Sequence, residues 1–248
     1  MIRTILVLLF IFLSDYTFAN PHQKVRILLI TGVGIDGPNH RYSDWSHAHY
    51  NDIIVSALRD VAEVTVTQDL AMLNDDTLKR FDMIMNNSLF KEPSADEFRA
   101  FYKFIESGKS YFAVHAGLVS FLNSPKYVEM MGGRFINHDD AKTFTVNTYD
   151  AWYGWERESE RKKHPVTRGV DDFKTLDELY LAQFNTDDLE VIARAEFHPV
   201  MWTRAWGNGR IMCLTLGHGD YSQRNSGFQK LLRNGVVWLA TAVQSSSN

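Results

Sequence analysis

From residue 25 onward the chain alternates short apolar runs with segments of helical period. "VRILLIT" (25–31) is almost continuously apolar and ends in the glycine-rich "GVGIDGPNH". In "DWSHAHYNDIIVSALRD", Ile53, Ile54, Ala57, Leu58 and Val61 recur at helical spacing. "EVTVTQD" (63–69) alternates as a half-buried strand does, and "FDMIMNNS" (81–88) is a second buried run. "PSADEFRAFYKFIESGKS" carries its own punctuation. Ser94 stands three residues before Glu97, the spacing of a capping box, and Gly108 suits a helix stop. Phe98, Phe101 and Ile105 then share one face, and "YFAV" (111–114) gives the next strand. Strands that are apolar at every position, each followed by a helix, predict a parallel sheet covered on both faces.

Residues 123–200 follow another rhythm. "KTFTVNTY", "ELYLAQF" and "LEVIARAEF" read as strands joined by turns without a strong helix, an antiparallel or edge extension of the same sheet. The α/β pattern returns with "RIMCLTLG" (210–217) and a final helix, "FQKLLRNGVVWLATAV". No internal repeat or linker composition divides the chain. The reading is a signal segment over 1–19, a short segment over 20–24, one domain over 25–242 and a disordered tail over 243–248.

Composition narrows the function classes. The 248 residues are 45% hydrophobic and 13% aromatic, enough for a substantial core, and the net charge of -4 argues against a nucleic-acid partner. The run "ERESERKK" (156–163) mixes both signs and reads as a solvated loop. At the N-terminus, Arg3, the apolar stretch Ile5 to Leu13 and the small-x-small triplet Thr17-Phe18-Ala19 have the layout of a secretory signal. The apolar stretch is short for a bilayer span, so the expectation is an exported, periplasmic or extracellular protein without stable membrane insertion; an uncleaved anchor is the alternative. The single cysteine forms no internal disulfide, and Cys213, inside an apolar run, reads as a buried and inert strand residue.

Ligands of an open parallel sheet bind outside the carboxyl ends of its strands, and three such ends here carry a histidine. Asn39-His40 follow the first strand, His115 ends "YFAV", and His218 stands between Gly217 and Gly219 after "RIMCLTL". A lone histidine is ordinarily a hydrogen-bonded structural residue, whereas three at strand tips point to a site. His138 in "GGRFINHDD" stands among carboxylates and fits a site rim. His47 and His49 diverge if helical, and His164 and His198, each before proline, read as turn residues. Asp177 and Glu178 in "LDELYL" and Asp220 after Gly-His-Gly are the neighbouring carboxylates. No G-x-S-x-G elbow, H-E-x-x-H or P-loop occurs, and "GVGIDG" lacks the acidic residue and helix context of a dinucleotide loop.

In order along the chain, "FDMIMNNS…FYKFIESGKSYFAVHAG", "GGRFINH", "HPVTRGV", "DELYL", "PVMWTRAWGNGRIMCLTLGH" and "FQKLLRNGVVWLA" resemble the trehalose-utilisation, or ThuA-like, family over about residues 25–242. The resemblance implies a class I glutamine amidotransferase-like, flavodoxin-like three-layer sandwich with a mostly parallel sheet. His115 falls where that superfamily keeps its elbow cysteine, and Cys213, on another strand, does not replace it, so thiol amidotransferase chemistry is not expected. The resemblance also implies sugar catabolism. The expectation is an enzyme, a hydrolase or lyase, acting on a sugar or keto-sugar; the alternative is a non-catalytic sugar-binding protein. His115, His218 and Glu178 are the candidate catalytic residues. Asn39, His138, Tyr180, Trp202 and Asp220 are candidate substrate contacts, with Trp206 a further ring for sugar stacking. His40, His115 and His218 are candidate ligands of one divalent metal such as zinc. No nucleotide cofactor is expected; the partner is a small-molecule carbohydrate, with a homo-oligomer left open. The segment "DGPNHRYSDW" is longer than the family's usual short histidine-containing loop.

Overall fold

The computed structural model describes residues 24–34, 51–148 and 164–245. The signal segment, Asn39, His40, His47, His49 and the 156–163 charge run lie outside these residues.

The apolar runs become strands for the reason their composition suggests. β1 (Val25–Ile30), β3 (Met83–Asn86), β4 (Ser110–Val114) and β11 (Gly209–Leu214) are buried at nearly every position because helices cover both faces of the sheet they form. β2 (Ala62–Thr67) is the edge and alternates. These strands run parallel in the order β2-β1-β3-β4-β11, the order of a doubly wound flavodoxin-like sheet. Successive side chains point to opposite faces. Ile27, Leu29, Met85, Phe112, Val114, Met212 and Leu214 therefore build one core with α1 (Asn51–Leu58) and α6 (Ser226–Ser245). Leu28, Ile30, Ile84, Tyr111, Ala113, Ile211 and Cys213 build the other with α3 (Ala95–Glu106) and α4 (Pro125–Met131). A short α2 (Asp75–Leu78) and α5 (Asp220–Gln223) complete the α-helices among the described residues.

The punctuation read around α3 is present in full. Ser94 Oγ accepts from the Glu97 amide, Glu97 answers to the Ser94 amide, and Gly108 takes the left-handed φ of 105° that ends the helix. α6 continues through Ser245, three residues past the domain boundary drawn from the sequence, so the tail does not begin at 243. Among the described residues no helix is long and apolar enough to cross a membrane.

The middle of the chain extends the sheet but only in part. β10 (His198–Trp206) pairs antiparallel with β11, and β9 (Glu190–Ala195), β6 (Lys142–Asn147) and β7 (Phe173–Asp177) follow it to make nine strands. β5 (Gly133–His138) and β8 (Tyr180–Phe184) do not join them. They form a separate two-stranded ribbon with a register shift at Ile136, and α4, in a stretch that reads as helix-free, precedes it. The ribbon lies on the core face of β10, where Phe184 meets Trp202 edge-on at 5.2 Å, and reaches the carboxyl end of β4 through Tyr180. That placement brings residues from the middle of the chain to the strand tips.

Candidate functional site

β4 ends in a sharp turn at His115, which is buried at 1% exposure with φ at +42°, a conformation uncommon for any residue with a Cβ. The turn runs against β3 so closely that a Cβ at Gly117 would lie 2.1 Å from the Asn86 carbonyl oxygen. Glycine is what lets the elbow form. Backbone strain of this kind concentrates at functional sites.

The His115 ring has its protons assigned by its neighbours. Nδ1 lies 2.9 Å from the Thr215 carbonyl oxygen, which can only accept, so Nδ1 carries the proton. Nε2 then holds a lone pair, and the Tyr180 hydroxyl donates to it at 2.9 Å. This carbonyl-fixed tautomer is what metal-binding histidines ordinarily have.

Beyond β11, Gly217 at φ +118° turns the chain so that His218 faces His115. Its Nδ1 lies 3.4 Å from His115 Nε2 and 3.1 Å from Glu178 Oε2. Glu178 Oε2 is 3.8 Å from His115 Nε2 and 3.6 Å from His138 Nε2. His138, at the end of β5, donates its own Nδ1 proton to the Asp139 carbonyl at 2.9 Å, leaving its Nε2 towards Glu178. Burial alone would lower the His218 pKa, but the hydrogen bond and charge of Glu178, with Asp177 behind it, raise it above the ordinary histidine value.

Asp177 builds the connection between these parts. This fully buried carboxylate accepts from the Gly217 amide at 2.8 Å, the His218 amide at 3.2 Å, the Glu178 amide at 2.9 Å and the Ser222 hydroxyl. The end of β7 is thereby tied to the loop after β11. Burial pushes the Asp177 carboxyl up to about 6, against the opposing pull of these four donors.

Among the described residues, His115, Glu178 and His218 form one group able to hold a cation, their three donor atoms lying within 4.8 Å of one another. Tetrahedral zinc with nitrogen and oxygen ligands at ~2.0–2.1 Å sets neighbouring donors roughly 3.4 Å apart. The observed separations of 3.1, 3.4 and 3.8 Å straddle that value. Two imidazoles and one carboxylate are an ordinary zinc set that leaves a position for water or substrate. The residues present fit such an ion.

The structure thus brings together four of the residues singled out from sequence, His115, His218, Glu178 and His138. Asn39 and His40 lie outside the described residues. Three expectations of sugar stacking on an aromatic face are corrected. Trp202 has no ring face for a sugar: it is fully buried and its Nε1–H donates to the Met131 carbonyl at 3.0 Å. Trp206 pairs with Gly209 at the hairpin on the opposite end of the sheet from His115. Tyr180 is buried too, its ring packed between His115 and His138 and against Phe135, so only its hydroxyl enters the cluster. Asp220 opens α5, 3.7 Å from Arg224 Nε, outside the three-residue group. His164 caps a short turn by accepting from the Val166 amide, His198 opens β10, and burial pushes the Cys213 thiol well up. Ser222 is the residue the sequence does not single out, and Asp177 stands there only as a neighbouring carboxylate. The adjacent pair in "LDELYL" signals carboxylates but not which one turns inward.

A flavodoxin-like sandwich with a strained histidine elbow, faced by a second histidine and a glutamate, is the arrangement the fold presents. The chain belongs to the trehalose-utilisation (ThuA) family, whose model matches residues 35–239. No curated protein matches it. Among solved structures it is similar to a ThuA-like protein from Parabacteroides merdae (17% identity, TM-score 0.68, covering 88% of this chain and 91% of that one). A ThuA-like protein from Bacteroides uniformis is similar as well (18% identity, TM-score 0.65, 90% and 94% covered). A β-galactosidase from Bacillus circulans sp. alkalophilus shares the fold over 90% of this chain and 31% of its own length, at 10% identity and TM-score 0.53. At these identities the likeness is one of fold.

Proposed function

We propose that this protein is an exported carbohydrate-processing enzyme that acts on a sugar or keto-sugar, with one divalent cation held by His115, Glu178 and His218. One observation carries the reading: three donor atoms from three separate segments converge at the spacing of a tetrahedral metal face. The family's trehalose-utilisation description supports the sugar, and the N-terminal signal-like segment supports export.

When bound, the cation supplies Lewis acidity towards a substrate oxygen. The chain's own residues do the rest. The Thr215 carbonyl holds His115 in the tautomer whose Nε2 faces the site, and Asp177 fixes the backbone on which His218 and Glu178 stand. His138 Nε2, half-buried beside Glu178, is placed to take or return a proton at the ligand side.

The test is turnover by the purified protein of a panel of trehalose, other disaccharides and their keto derivatives, with His115→Ala as the control. Turnover by the wild type that is lost in the variant, with sugar binding retained, supports the reading. Sugar binding without turnover by either protein makes it a binding protein instead. No turnover and no binding across the panel contradicts the sugar assignment.

A further inference from the structure

His115 Nε2 has one lone pair, and its nearest claimant is the Tyr180 hydroxyl. The Thr215 carbonyl fixes the proton on Nδ1, so the 2.9 Å contact between Tyr180 Oη and Nε2 has the tyrosine as donor and the imidazole as acceptor. The same Nε2 is the His115 atom that lies 3.4 Å from His218 Nδ1 and 3.8 Å from Glu178 Oε2. A lone pair that accepts a hydrogen bond cannot at the same time bind a cation. Tyr180 itself is not free to leave: its ring is held at 4.5 Å from His115, 4.6 Å from Phe135 and 5.6 Å from His138, between centroids. The packed ring keeps Tyr180 beside the site, so its hydroxyl exchanges partner by a small shift of Oη off the Nε2 lone-pair direction together with a turn of the O–H about the ring bond.

We infer that Tyr180 is a gate on the cation site and a ligand-positioning donor. Its hydroxyl occupies His115 Nε2 until a cation takes that lone pair. The released O–H then donates to the oxygen of a carbonyl or hydroxyl ligand held beside the cation. No bond to carbon forms or breaks in this exchange; one hydrogen bond is given up and one coordination bond is made. The ligand class that follows is an oxygen acceptor small enough to enter the His115–His218–Glu178 cluster, such as a keto or hydroxyl group of a sugar. This rests on the cation reading above and adds an element that reading does not require.

The gate makes a prediction with an unusual sign. Deleting a hydrogen bond ordinarily weakens a site, but Tyr180→Phe keeps the packed ring and removes the nearest competitor for Nε2, so it tightens zinc binding by roughly fivefold. Zinc affinity is measured by competition with a chromophoric chelator for both proteins. Equal or weaker affinity in the variant overturns the gate while leaving the cation site standing. Absence of zinc binding by both proteins sinks the cation site as well. The zinc affinities stand whether or not the protein turns over a sugar, so the gate is tested separately from the sugar assignment. The wild type alone gives a second readout in its imidazole nitrogen NMR shifts. His115 should be the Nδ1–H tautomer with an accepting Nε2, and zinc should move Nε2 to a metal-bound shift. An Nε2–H tautomer, or a ring unmoved by zinc, contradicts the proposal.

Discussion

Replacing Asp177 by Asn separates building the site from building the fold. The buried carboxylate accepts from three backbone amides and the Ser222 hydroxyl, and those amides include the ones of His218 and Glu178 themselves. Asn keeps one accepting oxygen and turns an NH2 group towards donors, so part of this network loses its partner at a cost of about 1–3 kcal/mol. The carboxylate also has a burial cost. With its pKa pushed up to about 6, its ionised form at pH 7 loses about 3 kcal/mol relative to an ordinary aspartate. Neutral Asn escapes that cost, so the two changes nearly cancel in the metal-free protein. The sign in pH follows: a raised carboxyl pKa gives stability that is present below pH 4 and lost as pH rises through about 6, and Asn removes that slope. Zinc affinity behaves differently, because groups that orient metal ligands typically contribute about 10–100-fold. Urea unfolding from pH 4 to 7, beside zinc titration of the same two proteins, measures both. An Asn variant with wild-type zinc affinity, or one destabilised by more than about 4 kcal/mol at pH 7, refutes the assignment of Asp177 to the site.

Three further outcomes follow from the structure. Gly117→Ala places a Cβ 2.1 Å from the Asn86 carbonyl oxygen and should cost at least about 3 kcal/mol in urea unfolding; a neutral result means the elbow does not pack as described. For Asp82, burial alone would raise the carboxyl, but Arg26 and Lys109 bring it down to about 2. Its contribution, about 2 kcal/mol after allowing for the half-exposed Arg26, is present above pH 4 and lost as pH falls towards 2; Asp82→Asn should lack that acid-side decline. The β9–β10 hairpin turns on Glu196 and Phe197, both at positive φ (46° and 71°), with the Phe197 ring 89% exposed. Asn-Gly suits such a two-residue turn, so the double substitution should raise stability by about 1–2 kcal/mol, and a lowered urea midpoint contradicts this.

What could be read from the chain, and what could not, divides along range. The parallel strands and α3 were legible because burial on two faces and a capping box leave local marks, as in "VRILLI" and Ser94–Glu97. That His115 and His218 follow the ends of strands was legible because each stands directly after an apolar run. The β5–β8 ribbon was not, since its pairing joins residues some 50 apart through a register shift that no local pattern announces. Trp202 misled because a tryptophan on an antiparallel strand faces either core or solvent, and alternation alone does not say which. Asp177 and Glu178 are neighbours with opposite duties, one turned into the protein and one into the site, a distinction set by the loop after β11.

The central claim is a cation held by His115, Glu178 and His218, and metal analysis of the purified protein after dialysis against zinc tests it most directly. The account predicts one zinc per chain, lost in Glu178→Gln and in His218→Ala while both variants keep the wild-type circular dichroism spectrum. A wild type that retains no zinc, or variants that retain it fully, contradicts the account.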